Sequence, residues 1–176
     1  VTEVGEHALK TLGEYVGADV GAFFVNDGNL LRRRAGFGLD SNNAGADTFE
    51  RGAGLVGRAA ASDLPLVRVK TASLEDEKPP KIRSGTTSKD PVEILLLPLR
   101  VGGATAGVVE LGFLKSPSER VGQLLERVSE TIAIGVRSAE YRTRLAELLE
   151  EAQRQAEELQ AQQEELRVAN EELEEQ

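Results

Sequence analysis

The apolar positions of this 176-residue chain change period along its length, and the changes divide it into elements. Val4, Ala8, Leu9, Leu12, Tyr15 and Val16 recur at helical spacing, which predicts a first helix over residues 3–17, ending at Gly17. Val20–Val25 and Asn29–Ala35 are strand-like runs joined by Asn26-Asp27-Gly28, a strong hairpin signal. Residues 36–50, rich in Gly, Asn and Asp, read as a loop, and Arg51–Ala61 reads as a glycine turn leading into a short helix. Pro65–Val69 is a further strand. Lys70–Pro91 reads as a long polar loop, either a functional lid or a free segment. Glu93–Leu99 is almost continuously apolar and is expected to be a central strand, paired through Arg100–Thr105 with Ala106–Phe113. Ser116, Pro117 and Glu119 suit the cap, first and third positions of a last helix. These elements together predict an α+β domain with a mostly antiparallel sheet and helices packed on one face.

From Tyr141 onward the period becomes seven. Leu145, Ala152, Leu159, Leu166 and Leu173 form one row, and Leu149, Ala156, Gln163 and Asn170 form the other. Leucine at one seam position, with small and polar residues at the other, describes a two-stranded parallel coiled coil. The 36 residues contain no Pro or Gly, and a fully helical run would reach roughly 54 Å. The expected organisation is a globular domain at 1–140 and a coiled-coil helix at 141–176. The apolar stripe drifts between Ala139 and Leu145, where either a phase change or a plain bend would serve. The absence of any Met, and an end inside the heptad pattern, lead to the expectation of a segment of a longer protein.

The formal net charge of -9 is uneven: residues 141–176 hold 11 acidic and 4 basic residues, net -7, leaving -2 for the rest. Such a domain lacks the clustered basic charge that nucleic acid requires, so no nucleic-acid partner is expected. Zero Cys excludes disulfides, thiolate metal sites and sulfur chemistry, and fits a cytosolic segment. No apolar run is long enough to span a bilayer, so no membrane contact is expected within the segment, and an anchor upstream of Val1 is left open.

Several stretches resemble GAF domains. Val16–Val25 followed by Asp27-Gly28 is similar to the first hairpin of that family. Gly52-Ala53-Gly54-Leu55-Val56-Gly57-Arg58-Ala59-Ala60 is similar to its glycine-rich lead-in to the second helix, and Leu97-Pro98-Leu99 with Gly107–Gly112 to its closing hairpin. The tail, through Glu157–Gln160 and Ala169–Leu173, resembles the signalling helix between a GAF domain and the kinase core of a sensor histidine kinase. The resemblance implies about six antiparallel strands, a small-molecule pocket in front, helices behind, and a homodimer formed through the first and last helices and the coil. It implies a sensory module of a bacterial two-component kinase, with catalysis beyond Gln176. A passive dimerisation relay without ligand, or a sensor for a cyclase or transcriptional activator, are the alternatives. The Cys that would attach a bilin, or serve a methionine-sulfoxide reductase of the family, is absent. The Asn-Lys-Phe-Asp-Glu set of the cyclic-nucleotide binders is not found either, so no cofactor is expected.

The candidate pocket residues are Arg51, Arg58, Lys70 and Glu110. Arg51 and Arg58 flank a helix start where backbone N–H groups could help hold an anion; the alternative is two solvated arginines. Lys70, Lys78, Lys81, Arg83 and Lys89 give the long loop a basic character that either attracts an anion or keeps the loop solvated. Glu110 interrupts an apolar strand and either accepts a donor from a ligand or is the outward half of an alternation, the reading favoured here. Gly52-x-Gly54-x-x-Gly57 has dinucleotide spacing without a βαβ context, so a tight turn and close helix packing are expected instead. His7 faintly resembles a phospho-acceptor but lacks the flanking acid and proline, and is expected to be a helix-surface residue. With one His and no metal cluster or triad, the chain itself is expected not to be an enzyme.

Overall fold

The structure is a computed structural model and describes residues 2–39, 47–74, 82–84 and 87–174. It divides into a unit of residues 1–138 and a second of residues 139–176.

The first unit is built on a six-stranded antiparallel sheet of order β3-β2-β1-β8-β7-β4. The strands are β1 (Val20–Asp27), β2 (Leu30–Phe37), β3 (Thr48–Glu50), β4 (Val67–Lys70), β7 (Glu93–Val101) and β8 (Ala104–Phe113). Both predicted hairpins, β1/β2 and β7/β8, form, each a residue or two longer than the apolar runs suggested. β3 lies in the stretch 36–50 that the sequence predicts as loop; its three residues pair with Leu30–Arg32 and close the β2 edge. The polar stretch 70–91 also holds more order than expected. It contains a 3-10 turn at Thr71–Ser73 and a small separate hairpin, β5 (Ile82–Ser84) with β6 (Thr87–Lys89). Lys78 and Lys81 lie outside the described residues.

Alternation along the strands sends side chains to two layers. On the back, Phe23, Val25, Leu95, Leu97, Val109, Leu111 and Phe113 pack with Leu9 of helix α1 (Thr2–Val16). Leu125, Ala133 and Val136 of α3 (Glu119–Glu174) complete this layer. On the front, Ala22, Phe24, Leu31, Ile94, Leu96 and Val108 meet Val56, Ala59 and Ala60 of helix α2 (Gly54–Ala61). Residues 105–113 of β8 are therefore buried whichever way they point, which explains the continuous apolar run. Pro98 falls two residues past Leu96, the last residue of β7 paired to β4, where a missing N–H costs no ladder bond on that side.

The expected cap at Ser116 does not form, because the helix starts at Glu119. The Glu119 carboxylate is drawn instead to Arg68, whose Nη1 donates to it at 2.8 Å. The same guanidinium donates from Nε to Glu93 at 2.9 Å and from Nη2 to the Pro117 carbonyl at 3.2 Å, tying β4, β7 and the start of α3 together. A charged network across three elements outcompetes a local capping box worth about 1 kcal/mol. α3 continues through 139–145 without interruption, so the drift of the apolar stripe there is not a helix break.

In the second unit the heptad residues are solvent-exposed: Leu145 60%, Leu149 57%, Leu159 58%, Leu166 65% and Leu173 70%. Ion pairs within the helix, Arg154–Glu151 at 2.5 Å and Arg167 to Glu164 at 2.7 Å and to Glu171, decorate the remaining surface. Among the described residues no helix is long and apolar enough to cross a membrane.

Candidate functional site

The front layer is fixed by α2, and glycine makes its seating feasible. Gly52 (φ +93°) and Gly54 (φ +62°) take the left-handed turn that leads into the helix. A side chain at Gly57 would drive a Cβ into the carbonyl oxygen of Glu50, and the Gly52 N–H donates to the Gly57 carbonyl at 2.8 Å. The glycine triplet thus serves turn geometry and close packing, in a sheet that is antiparallel on both sides of every interior strand. Thr105 Oγ1, buried, donates to the Ala60 carbonyl at 3.1 Å and bolts the end of α2 to β8. Phe49 packs edge-to-face on Phe24, centroids 5.5 Å apart, extending the layer over β3.

Glu110 stands in the middle of this apolar layer. Cross-strand register places it in a row with Ala22 of β1 and Leu96 of β7, both front-facing, so it faces front as well. It is 6% exposed, which rules out the solvated outward reading. With Val20, Gly21, Ala22, Leu39 and Gly112 it lines a crevice too narrow to admit a water molecule. Leu39 is held there by an isolated bridge to Ile82, which is itself buried. Among the described residues no fully buried side-chain oxygen or nitrogen is left without a partner, so its carboxylate is not an orphaned group. Burial pushes its carboxyl up from the ordinary 4.5 to about 7, with the positive charge of Arg33 pulling the other way.

Arg33 reaches this layer through a β-bulge. Phe23 pairs with Ala35 and Phe24 with Arg33, so Arg34 is the extra residue and Arg33 shares the face of Phe24. Its guanidinium forms an ion pair with Asp47, and its backbone N–H donates to the Asp47 carbonyl at 2.8 Å.

The four sequence candidates do not converge. Lys70 lies on the back-facing side of β4, opposite Val67 and Val69 of the front layer, and so on the other face of the sheet from Glu110. Arg51 is exposed in the turn before α2, and Arg58 is exposed on α2 and engaged with a partner. α2 has Ala53 at its cap without a side-chain hydrogen bond. Arg33, Asp47 and Leu39 carry no signal in the sequence; the bulge that turns Arg33 forward leaves no mark in a run of three arginines. His7 is exposed on α1. An open hollow of about 440 Å³ lies between α1 and β2, along Leu9, Gly13, Ala35 and Phe37. Its acids and base, Glu6, Lys10, Glu14 and Asp19, are solvent-exposed, so no buried polar group marks it as a site. Among the described residues, no group of three or more His, Asp or Glu is placed to hold a metal ion.

A six-stranded antiparallel sheet with α2 over a buried acid in front, and α1 and α3 behind, defines a sensory-domain architecture. A GAF-domain family model matches residues 1–137, and the chain belongs to the GAF domain family. Solved structures agree at the level of the fold. The GAF domain of a phosphoenolpyruvate-protein phosphotransferase from Coxiella burnetii is 18% identical at a TM-score of 0.66, covering 81% of this chain and 85% of that one. The GAF domain of a two-component sensor histidine kinase from Bacillus halodurans is 15% identical at 0.60, covering 78% and 94%. The type II free methionine-R-sulfoxide reductase from Thermoplasma acidophilum is 18% identical at 0.59, covering 76% and 89%. A sequence search of curated proteins finds no match. The domain is thus of a sensory and regulatory type that occurs in sensor kinases among other proteins.

Proposed function

We propose that this chain is the cytoplasmic sensory segment of a bacterial two-component sensor histidine kinase. In this reading the GAF domain takes a small ligand or an upstream input, and a parallel homodimer through α1, α3 and the coil passes it to a kinase core outside the chain. The observation that carries the reading is the exposed seam of α3. Leu145, Leu159, Leu166 and Leu173, spaced by fourteen, seven and seven residues with Ala152 at the remaining heptad position, are 58–70% exposed. Burying one such leucine in a second copy gains about 1.5–3 kcal/mol, which four repeats make decisive. Gln163 and Asn170 at the other seam position favour two strands and fix register at some cost in stability, leaving a coil that small changes can bias. The kinase output is supported by the likeness of the tail to signalling helices and by the GAF structure from such a kinase.

Sedimentation equilibrium tests the dimer: the chain should sediment as a dimer, and L159E with L166E as a monomer. A monomeric parent chain would end the proposal. One alanine inserted after Ala146 in the parent protein separates relay from spacer. A transmitted phase predicts altered kinase output, whereas a passive tether predicts none.

A further inference from the structure

We infer that the β7–β8 turn is a coupling device that joins the C-terminal end of α2, on the front of the sheet, to α3 on the back. The inference rests on the sensory reading above for its direction, from the front layer towards the rod, and adds the route. On the front, both strands of the hairpin grip the end of α2. Thr105 Oγ1 of β8 donates to the Ala60 carbonyl at 3.1 Å. Arg100 of β7 donates from Nη1 to the Leu64 carbonyl at 3.1 Å and from Nη2 to that of Ser62. The Ala60 carbonyl sits in the last turn of a helix, where no intrahelical N–H reaches it and a nearby cation is favoured. On the back, the carbonyl of Val101, next along β7 from Arg100, accepts from Arg137 Nη1 of α3 at 3.1 Å. Arg137 follows Val136, the last buried residue of α3 in the first unit, and that unit ends one residue later, at Ser138.

A β-bulge produces this two-sided grip. Leu99 pairs with Gly107 and Arg100 with Thr105, so Ala106 is the extra residue. Gly107 also pairs with Val25, and both Leu99 and Val25 belong to the back layer. In an unbroken strand Thr105, two residues before Gly107, would face back as well. The bulge turns it forward, opposite Arg100, while Val101 packs against the back layer. The hairpin end is also held firmly. Gly102 (φ +58°) and Gly103 (φ +81°) close the turn between Val101 and Ala104. The β1–β8 ladder stops at Val25 and Gly107, and Asn26 Nδ2 extends it by donating to the Thr105 carbonyl at 2.9 Å. A shift at the end of α2 therefore moves Arg100 and Thr105 together, and with them the carbonyl that Arg137 holds.

The test is native-state amide hydrogen exchange on the whole chain, its T105V and R137Q variants, and T105S, which keeps the hydroxyl donor. Exchange at Leu96 and Val109, buried in the middle of the sheet, tracks global unfolding and is divided out. Thr105 and Arg137 share no hydrogen-bond partner in this hairpin, and substitutions at independent sites act separately. Coupling, by contrast, is reciprocal. T105V should speed exchange at the Arg137 amide, and R137Q at the Ser62 amide, each by about threefold beyond the global change, the scale of one hydrogen bond. T105S should match the parent chain. A variant that loosens only its own end of the hairpin, or no excess at either end, would overturn the coupling. Sedimentation of the same samples keeps the two readings apart. A monomer in which both ends respond sinks the relay and leaves the coupling standing, and a dimer in which only the near end responds does the reverse.

Discussion

Replacing Glu110 with glutamine should convert a pH-dependent stability into a flat one. The side chain is 6% exposed, so solvent screening discounts its energetics little. Its carboxyl rises from 4.5 in the unfolded chain to about 7 in the fold, chiefly through burial. The folded state therefore holds this proton more tightly than the unfolded state. The contribution is fully present below about pH 4.5 and is lost as pH climbs through about 7. At roughly 1.4 kcal/mol for each tenfold in proton affinity, the loss reaches about 3 kcal/mol. Glutamine keeps the shape and removes the ionisation; any cost of its buried amide is the same at every pH. The assay is urea unfolding of the parent chain and E110Q at intervals from about pH 5 to about pH 8, at one protomer concentration. The difference between the two free energies cancels every other titrating group. It should move by about 3 kcal/mol in favour of E110Q as pH rises. Parallel curves, or a shift of opposite sign, would show that Glu110 is solvated or paired in the fold and would refute the buried-acid argument.

Two further substitutions probe how the layers are held. Gly57→Ala should destabilise the domain by about 1–3 kcal/mol despite the helix propensity of alanine, because its methyl would overlap the Glu50 carbonyl; thermal unfolding reads the loss. Arg68→Ala removes three hydrogen bonds and strands the Glu93 carboxylate, whose side chain is 4% exposed, so urea unfolding should register a loss of about 2–4 kcal/mol.

The hairpins were legible because their turns carry their own chemistry: Asp27-Gly28 and Gly102-Gly103 interrupt apolar runs that have no other local solution. Helix α2 was legible for a similar reason, its glycines marking the turn before it. Strand parity was not. β8 is buried on both sides, so no polar alternation reveals whether Glu110 belongs to the front or the back. Only pairing with Ala22 and Leu96 decides, and that register is a tertiary fact. The bulge at Phe23/Phe24 hides Arg33 in the same manner, since one inserted residue reverses the facing of everything beyond it. Lys70 reads in the sequence as the first of a loop's basic residues, but it ends β4, where alternation from the front-facing Val69 puts it on the other face of the sheet. The cap at Ser116 lost to Arg68, 48 positions away, a competition invisible to local pattern.

β8 is also a partition one residue thick. Glu110 belongs to the front layer, while Leu111, its neighbour along the chain, is sealed in the back layer with residues of α1 and α3. Chemistry in front and helix packing behind are therefore separated by a single peptide unit. That unit is rigid and hydrogen-bonded into a ladder on both sides, so it cannot bend to absorb a disturbance. A charge appearing or vanishing at Glu110 that displaces its backbone must carry Leu111 with it. For such an event the route to the helices is a short lever, with its fulcrum in the middle of the sheet.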